Sequence, residues 1–311
     1  MKFGIHNPSW IYGSDPHEIF EGIKRKAQYL DASGYAWLSV MDHVIQIPVN
    51  GAPEEPFMEG WTVIAALAAV TSKIRLATLV TSVAYRNPAL LAKMAAGIDV
   101  ISRGRLTFGI GAGWYEAEYK QYNWAFPPKP ATRIRQLEEA VRLIKTMWTE
   151  PRATYHGKYF HVQDAILEPK PVQKPHPPIM IGGSGEQLTL RVAARVGNAC
   201  NLFGDPEVVR HKYEVLERHC EKEKRNFAEF ERTNLLGGLL LARDEATLKA
   251  RRERLNVPPS LRVNALTTAQ AVELIGRYEK AGTQMIICSI LRNDQESLEL
   301  LTTDVKAQFK A

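Results

Sequence analysis

The chain is poor in cysteine, and its few cysteines lack the spacings that would give them a shared role. Cys200, Cys220 and Cys288 are the only three among 311 residues, and no two of them form a CxxC or similar ligand pair. A disulfide framework and a zinc site are therefore not indicated. Unpaired cysteines fit a reducing setting, so the sequence predicts a cytoplasmic protein.

Long hydrophobic runs are also missing. No apolar stretch approaches the roughly 20 residues of a membrane span. The longest, residues 63–70, is rich in alanine and is typical of a buried helix. The first residues lead directly into a strand-like run, without the apolar segment and cleavage site of a signal peptide. The sequence therefore predicts no contact with a membrane.

Charge of one sign is not concentrated in any segment. The chain has 40 Lys and Arg against 34 Asp and Glu, a formal net charge of +6, yet its longest purely basic run covers only residues 24–26. Interleaved charges are typical of solvated helix faces and not of a nucleic-acid surface. We therefore predict no nucleic-acid partner, while the mild basicity favours an acidic small molecule.

Motifs of several enzyme classes are absent. The sequence contains no HExxH and no GxSxG, and its eight histidines form no ligand pairs, so metal catalysis has little support and no metal site is predicted. The run Gly109-Ile110-Gly111-Ala112-Gly113 resembles a dinucleotide loop only superficially, because its spacing is GxGxG and not GxGxxG.

Short apolar runs alternate with longer helical patterns along most of the chain. The runs lie near residues 3, 37, 75, 106, 179, 199, 236 and 285, and this alternation is typical of a parallel sheet covered by helices. Eight such units favour an α/β fold of the (β/α)₈ TIM-barrel type over an open, doubly wound sheet. In either fold, ligands bind at the C-terminal ends of the strands.

The connection between the fourth and fifth strands is about twice as long as the usual one. It contains a helical pattern at 132–148, two short apolar runs about Gly157-Lys158 and a proline-dense stretch at 169–178. We interpret residues 123–177 as an insertion in a single barrel domain that covers residues 1–311. We expect its β-hairpin on the rim of the barrel, where long loops usually carry function.

Polar and aromatic residues follow three of the predicted strands. Asp42 and His43 come after the second strand, where an imidazole can give or take a proton near neutral pH, although a capping aspartate beside a surface histidine is the alternative. The third run, 74–83, is too long for one barrel strand without a bulge, so we expect irregular backbone there. Trp114, after the fourth strand, can stack on a flat ring or pack beneath the long loop.

Glycines follow the fifth strand. Gly182-Gly183-Ser184-Gly185 precede a helical pattern at 187–196, and free backbone N–H groups at a helix start suit a phosphate. The alternative is a tight turn that happens to be rich in glycine. The segment lacks the lysine of a Walker loop, which argues against hydrolysis of a nucleoside triphosphate.

Together these motifs resemble the bacterial-luciferase-like superfamily. The resemblance rests on the order of Met41-Asp42-His43, Glu59-Gly60-Trp61, Leu79-Val80-Thr81-Ser82 and Gly111-Ala112-Gly113-Trp114. Residues 177–183 and 189–195 are similar specifically to its deazaflavin (F420)-dependent oxidoreductase branch.

The resemblance implies a barrel whose mouth holds coenzyme F420, or FMN as in sister branches. His43 matches a histidine near the reactive carbon and is the candidate catalytic residue. The implied cofactor-binding residues are Asp42, Thr78, Ser82, Val83, Gly113 and Trp114 around the ring, and Gly182, Gly183 and Ser184 around the phosphate. The resemblance also implies a cis peptide between Ser82 and Val83.

We therefore predict an oxidoreductase that transfers a hydride between bound F420 and a small organic carbonyl, alcohol or activated alkene. The cofactor supplies the hydride chemistry, and the protein supplies orientation and a proton-transferring group. Two alternatives remain: an FMN-dependent monooxygenase that uses molecular oxygen, and a non-catalytic flavin-binding protein. The predicted partner is a small-molecule substrate, and a homodimer is left open.

Overall fold

Eight parallel strands close into a barrel at the centre of the protein. The structure, a computed structural model, describes residues 1–12, 15–257 and 263–309. In chain order the strands are β1 (Lys2–Asn7), β2 (Trp37–Val40), β3 (Arg75–Thr78), β4 (Thr81–Ser82), β5 (Leu106–Gly111), β6 (Ala153–His156), β7 (His161–Ala165), β8 (Ile179–Gly182), β9 (Ala199–Leu202), β10 (Glu231–Ala242), β11 (Asn264–Thr267) and β12 (Met285–Ile290). The ring runs through β1, β2, β3, β5, β8, β9, β10 and β12, and pairing of β12 with β1 closes it.

Helices cover the outside of this barrel. They are α1 (His17–Ala32), α2 (Gly60–Val70), α3 (Pro88–Ile101), α4 (Glu116–Gln121), α5 (Pro130–Thr149), α6 (Thr189–Val196), α7 (Pro206–Lys222), α8 (Glu245–Arg254), α9 (Thr268–Lys280) and α10 (Gln295–Leu300). The predicted α/β barrel is confirmed, and each of the eight predicted strand positions falls in or beside a barrel strand. The sequence analysis missed β11, which pairs with the outer part of β10.

Local sequence signals explain how the helices near the mouth begin. The side chain of Asn87 accepts a hydrogen bond from the N–H of Ala89, and Pro88 occupies the first turn of α3, as the Asn-Pro pair predicts. The side chain of Glu59 accepts bonds from the N–H groups of Trp61 and Thr62 at the start of α2. Both caps lie directly after segments that leave the barrel mouth.

Two hydrophobic layers hold the fold together. The larger lies between the outer face of the strands and the helices. The smaller fills the inside of the barrel with Trp37, Ala77, Met180, Ala199, Met285 and Ile287. Because side chains alternate along each strand, the residues between these inward positions belong to the outer layer. The barrel interior is therefore a packed core and not a channel.

The long connection between β5 and β8 departs from the expected arrangement. Helix α5 packs between α3 and α6 as a regular barrel helix, so the β6–β7 hairpin follows a helix that has already run back from the mouth. After the hairpin the chain returns to the start of β5, where the side chain of Gln173 bonds the carbonyl of Leu106 and the carboxylate of Asp99. The predicted hairpin is confirmed, and its expected place on the rim of the barrel stays a prediction.

The third apolar run, residues 74–83, has an irregular backbone, as predicted, but its cis peptide lies at a different bond from the expected one. Strand β3 ends at Thr78, and a cis peptide joins Leu79 to Val80. Strand β4 then resumes pairing with β5, and the N–H of Val83 donates to the carbonyl of Gly111 at 3.0 Å. The expected cis peptide between Ser82 and Val83 is wrong, because this pairing with β5 already extends through both residues.

Candidate active site

Val80 forms a small apolar platform at the mouth. Its side chain is partly exposed and lies against glycines of the two neighbouring strands, β5 and β8. A Cβ atom added to Gly111 would lie 2.8 Å from Val80 Cγ2, and one added to Gly182 would lie 2.5 Å from the same atom. Gly182, predicted to admit a phosphate, is thus also needed to accommodate Val80. The sequence analysis missed Val80 as a platform residue.

His43 is held at the mouth by a buried carboxylate. Its Nδ1 lies 2.6 Å from Oε2 of Glu118, a residue of α4 that is fully buried. The other oxygen of Glu118 accepts the N–H of Val44 at 2.7 Å, and the hydroxyl of Tyr85 donates to Oε2 at 2.5 Å. The His43 side chain remains 13% exposed, and its Nε2 bonds no group among the described residues.

The surroundings of Glu118 define the protonation of this network. Burial alone would raise the pKa of Glu118, but the hydrogen bonds from His43, Tyr85 and Val44 and the His43 charge outweigh it and lower that pKa. Burial and the charge of Glu118 raise the pKa of Tyr85, which therefore stays protonated. Ionised Glu118 thus accepts a hydrogen bond from Nδ1 of His43, and in the tautomer with its hydrogen on Nδ1 the lone pair of the ring lies on Nε2.

Asp42 points away from this network into a buried ion cluster. Its two carboxylate oxygens accept bonds of 2.8 and 2.9 Å from Arg86, which also bonds Glu59 and, at 3.1 Å, the hydroxyl of Thr81. The carboxylates of Asp42 and Glu59 raise the pKa of Arg86 although burial opposes the shift. Both oxygens of Asp42 are therefore engaged within the protein, and its contact with a cofactor stays a prediction.

Four other predicted cofactor-binding residues also have partners within the protein. Thr78 and Val83 are buried, and the Thr78 hydroxyl donates to the carbonyl of Gly109 at 3.1 Å. The hydroxyl of Ser82 lies 2.5 Å from that of Tyr119. Gly113 lies against this pair with a φ of 76°, and a Cβ atom there would lie only 1.9 Å from the Tyr119 hydroxyl. These residues shape the backbone under the mouth, and direct contact with a ring stays a prediction.

Trp114 lies beside the candidate catalytic histidine. Its side chain is 60% exposed. Its ring and that of His43 meet edge to face, with their centroids 5.8 Å apart. The ring of Tyr115 lies beside both, with its centroid 5.3 Å from that of Trp114 and 6.1 Å from that of His43. The structure thus favours the expectation that Trp114 offers an accessible aromatic face, over the alternative that it packs beneath a loop.

The loop after β8 presents a row of backbone donors. The N–H groups of residues 184–188 bond no acceptor among the described residues, and the following helix begins at Thr189, two residues later than predicted. Gly183 has a φ of 113°, a backbone angle that residues with a side chain rarely adopt, so the turn depends on glycine. Free N–H groups before a helix fit an anion such as a phosphate, and Gly183 and Ser184 lie at this loop.

A second histidine lies on the inner side of the mouth. His6 is at the end of β1, and its Nδ1 lies 3.1 Å from the hydroxyl of Ser39 on β2. Burial, together with the charges of Lys26 and His43, lowers the pKa of His6 to about 3. His6 is therefore neutral near pH 7, and His43 is the more accessible imidazole.

Tertiary contacts supply most of the residues that the sequence analysis missed. Glu118, Tyr85, Arg86 and Glu59 come from three segments of the chain, and the family resemblance gave none of the four a role. Within the described residues, no group of three His, Cys, Asp or Glu side chains is arranged to hold a metal ion. No described helix combines the length and the apolar character needed to span a membrane.

Comparisons with known proteins agree with this architecture. A family model described as luciferase-like monooxygenase matches residues 1–286. The FMNH(2)-dependent dimethylsulfone monooxygenase of Pseudomonas putida is 34% identical over 142 residues, which cover 45% of this chain and 38% of the relative. Pyrimidine monooxygenase RutA of Methylobacterium radiotolerans is 34% identical over 201 residues, 63% of this chain and 52% of that protein. The matched segments thus span about half the length of these relatives or less.

A solved structure with an F420 ligand shares the fold. An F420-dependent secondary alcohol dehydrogenase in complex with an F420-acetone adduct superposes with a TM-score of 0.82 at 18% identity, and the match covers 100% of both chains. Identity at this level supports the fold alone.

Proposed function

The chain belongs to the luciferase-like monooxygenase family, and from this membership we propose an oxidoreductase that transfers a hydride between bound coenzyme F420 and a small organic carbonyl, alcohol or activated alkene. The observation that carries the proposal is the geometry of His43. Its Nδ1 is held by Glu118, while Nε2 stays accessible beside Trp114 and bonds no described protein group.

His43 is suited to transfer the proton that moves when a hydride is exchanged between cofactor and substrate. With the hydrogen of the neutral ring on Nδ1, its Nε2 accepts the hydroxyl proton of an alcohol as the alcohol is oxidised to a carbonyl. In the opposite direction, Nε2 of the protonated ring returns that proton to the carbonyl oxygen. Glu118 holds the imidazole in place and stabilises its protonated form, which is the part that a buried carboxylate plays beside a catalytic histidine.

The residues present fit a flavin or deazaflavin cofactor. The free N–H groups of residues 184–188 would hold its phosphate, and Val80 and Trp114 would pack against its ring system. The bound cofactor would supply the hydride chemistry. Glycines at 111 and 182 leave just enough space for Val80, so a larger side chain at either position would displace this platform.

A second candidate function is an FMN-dependent monooxygenase that uses molecular oxygen. The observation that favours it is the similarity at 34% identity to two proteins named as monooxygenases, one of them FMNH(2)-dependent. Both candidates use the same phosphate loop and the same platform. They differ in the cofactor and in the fate of oxygen.

The decisive experiment is a fluorescence titration of the purified protein with F420 and with FMN, followed by assays with and without oxygen. We expect F420 to bind at least tenfold more tightly, about 1.4 kcal/mol, and to be reduced by an alcohol without oxygen uptake. Tighter binding of FMN with oxygen consumption would replace the proposal by the monooxygenase. Tight binding without turnover of any substrate would leave a flavin-binding protein.

The phosphate loop is tested by a pair of charge variants. Ser184→Glu places a carboxylate among the free N–H groups and should weaken cofactor binding at least tenfold. Gln163→Glu adds the same charge at an exposed position of the hairpin and should leave binding unchanged. Equal affinities for the two variants would contradict the assignment of this loop.

A further inference from the structure

A cavity of about 450 Å³ lies beside helix α1, outside the barrel strands. It is bounded by α1 and by the segment that follows β12. Its lining combines two cationic side chains, two phenols and two amides, and it contains no carboxylate: Tyr12, Gly22, Arg25, Lys26, Tyr29, Asn293 and Gln295. We call it the Lys26 cavity.

Lys26 is the buried charge of this cavity. Its side chain is 8% exposed, and Nζ donates to the amide oxygens of Asn7 at 2.9 Å and Asn293 at 2.7 Å. No carboxylate lies within 4 Å of this Nζ among the described residues. A buried ammonium group without a counter-ion is unfavourable, because amide oxygens replace only part of its hydration.

The neighbours of Lys26 are fixed in place. The hydroxyl of Tyr12 donates to the same Asn7 oxygen at 2.5 Å. The Tyr12 ring lies so close to Gly22 that a Cβ atom there would come within 2.3 Å of it. The second cation, Arg25, is exposed at the edge and pairs with Glu18 at 3.1 Å. The cavity thus has a buried positive group and, at its edge, the exposed Arg25–Glu18 ion pair.

We propose that the Lys26 cavity binds a small oxyanion, the carboxylate or phosphate group of a metabolite, which acts as the counter-ion of Lys26. The remaining hydrogen of Nζ and the Tyr29 hydroxyl are donors available to such a group, and Arg25 at the entrance keeps further donors beside its pair with Glu18. A purely structural lysine that joins Asn7 to Asn293 would not need a space of this size, lined without a carboxylate, beside it.

The test is calorimetric titration at pH 6.5 and constant ionic strength, with inorganic phosphate and succinate as separate probes. Lys26 is expected to be mainly protonated there, since burial lowers its pKa to about 7. We expect saturable binding of at least one probe at a single site, weakened at least tenfold in Lys26→Met. Lys145→Met, which removes a partly buried lysine of α5, is the control and should bind as the wild type does.

A second variant keeps the proposal testable if Lys26→Met does not fold. Gln295→Glu places a carboxylate in the cavity lining at the exposed start of α10, where an acidic residue suits the helix dipole. It should also abolish binding, whereas Ser184→Glu at the phosphate loop should not. Absence of saturable binding of both probes, or binding that Gln295→Glu leaves unchanged, would overturn the proposal.

Discussion

Asp42 and His43 are neighbours in the chain, yet they belong to two different networks. Asp42 is bound by Arg86 in a buried ion cluster, whereas His43 is bound by Glu118 at the accessible mouth. Strand β2 ends at Val40, so both residues lie in the loop that follows it, and their side chains point in different directions. An acid–imidazole pair in a sequence therefore need not act as a unit.

The two networks also differ in what their partners do. Arg86 joins the loop after β2, the loop after β4 and the start of α2, so the ion cluster holds the backbone around the mouth. Glu118 instead sets which nitrogen of His43 carries a hydrogen. We therefore expect variants of the ion cluster to change stability first, and variants of the His43 network to change turnover first.

The largest expected effect is on stability, in Arg86→Met. The change leaves the fully buried carboxylate of Asp42 without its counter-ion, which typically lowers the free energy of unfolding by about 3–5 kcal/mol. Denaturant unfolding measures this loss of free energy. Arg142→Met removes the Arg142–Glu138 pair on the exposed face of α5 and should lower this free energy by about 1 kcal/mol or less. Similar losses in both variants would show that the ion cluster does not hold the mouth.

The second-largest expected effect is on turnover, in the variant His43→Ala. Loss of the proton-transferring group should lower turnover by roughly 10²-fold, about 2.7 kcal/mol. Cofactor affinity and the unfolding free energy should change little. His161→Ala, at an exposed position of the hairpin, should leave turnover intact. Parallel losses of affinity and turnover would instead make His43 a binding residue.

A smaller effect on turnover is expected in Glu118→Gln. The amide keeps the size of the side chain but cannot stabilise a protonated His43, so turnover should fall about tenfold and its pH profile should shift to lower pH. Glu116→Gln changes an exposed glutamate two residues away on the same helix and should have no such effect. An unchanged pH profile in Glu118→Gln would reduce Glu118 to a packing role.

The smallest effect is on acid stability. The pKa of Glu118 is lowered in the folded protein, so its contribution to stability is fully present above its ordinary pKa of 4.5 and is lost as the pH falls through the folded-state value. The difference in unfolding free energy between wild type and Glu118→Gln should therefore shrink as the pH falls below 4.5. A difference that is constant with pH would mean that Glu118 is not ionised in the folded state.

Local signals explain why some of the site could be predicted from the sequence. Asp42 and His43 follow an apolar run, and Gly183 and Ser184 follow another, so barrel topology alone places them at the mouth. Glu118 gave no comparable signal, because two glutamates of α4 look alike in sequence and only one is buried. Val80 was likewise hidden, since its role depends on glycines of β5 and β8.

The sequence by itself determined the barrel and the edge at which its site lies. Alternating apolar runs and helix caps are local, and eight such units bury their apolar faces by closing a ring. Only the tertiary structure decided which side chains meet there, because the Glu118–His43 contact joins residues 75 positions apart. Side-chain direction decided the rest: Asp42 and His43 are adjacent in the chain, yet the first is enclosed with Arg86 and the second remains open to a ligand.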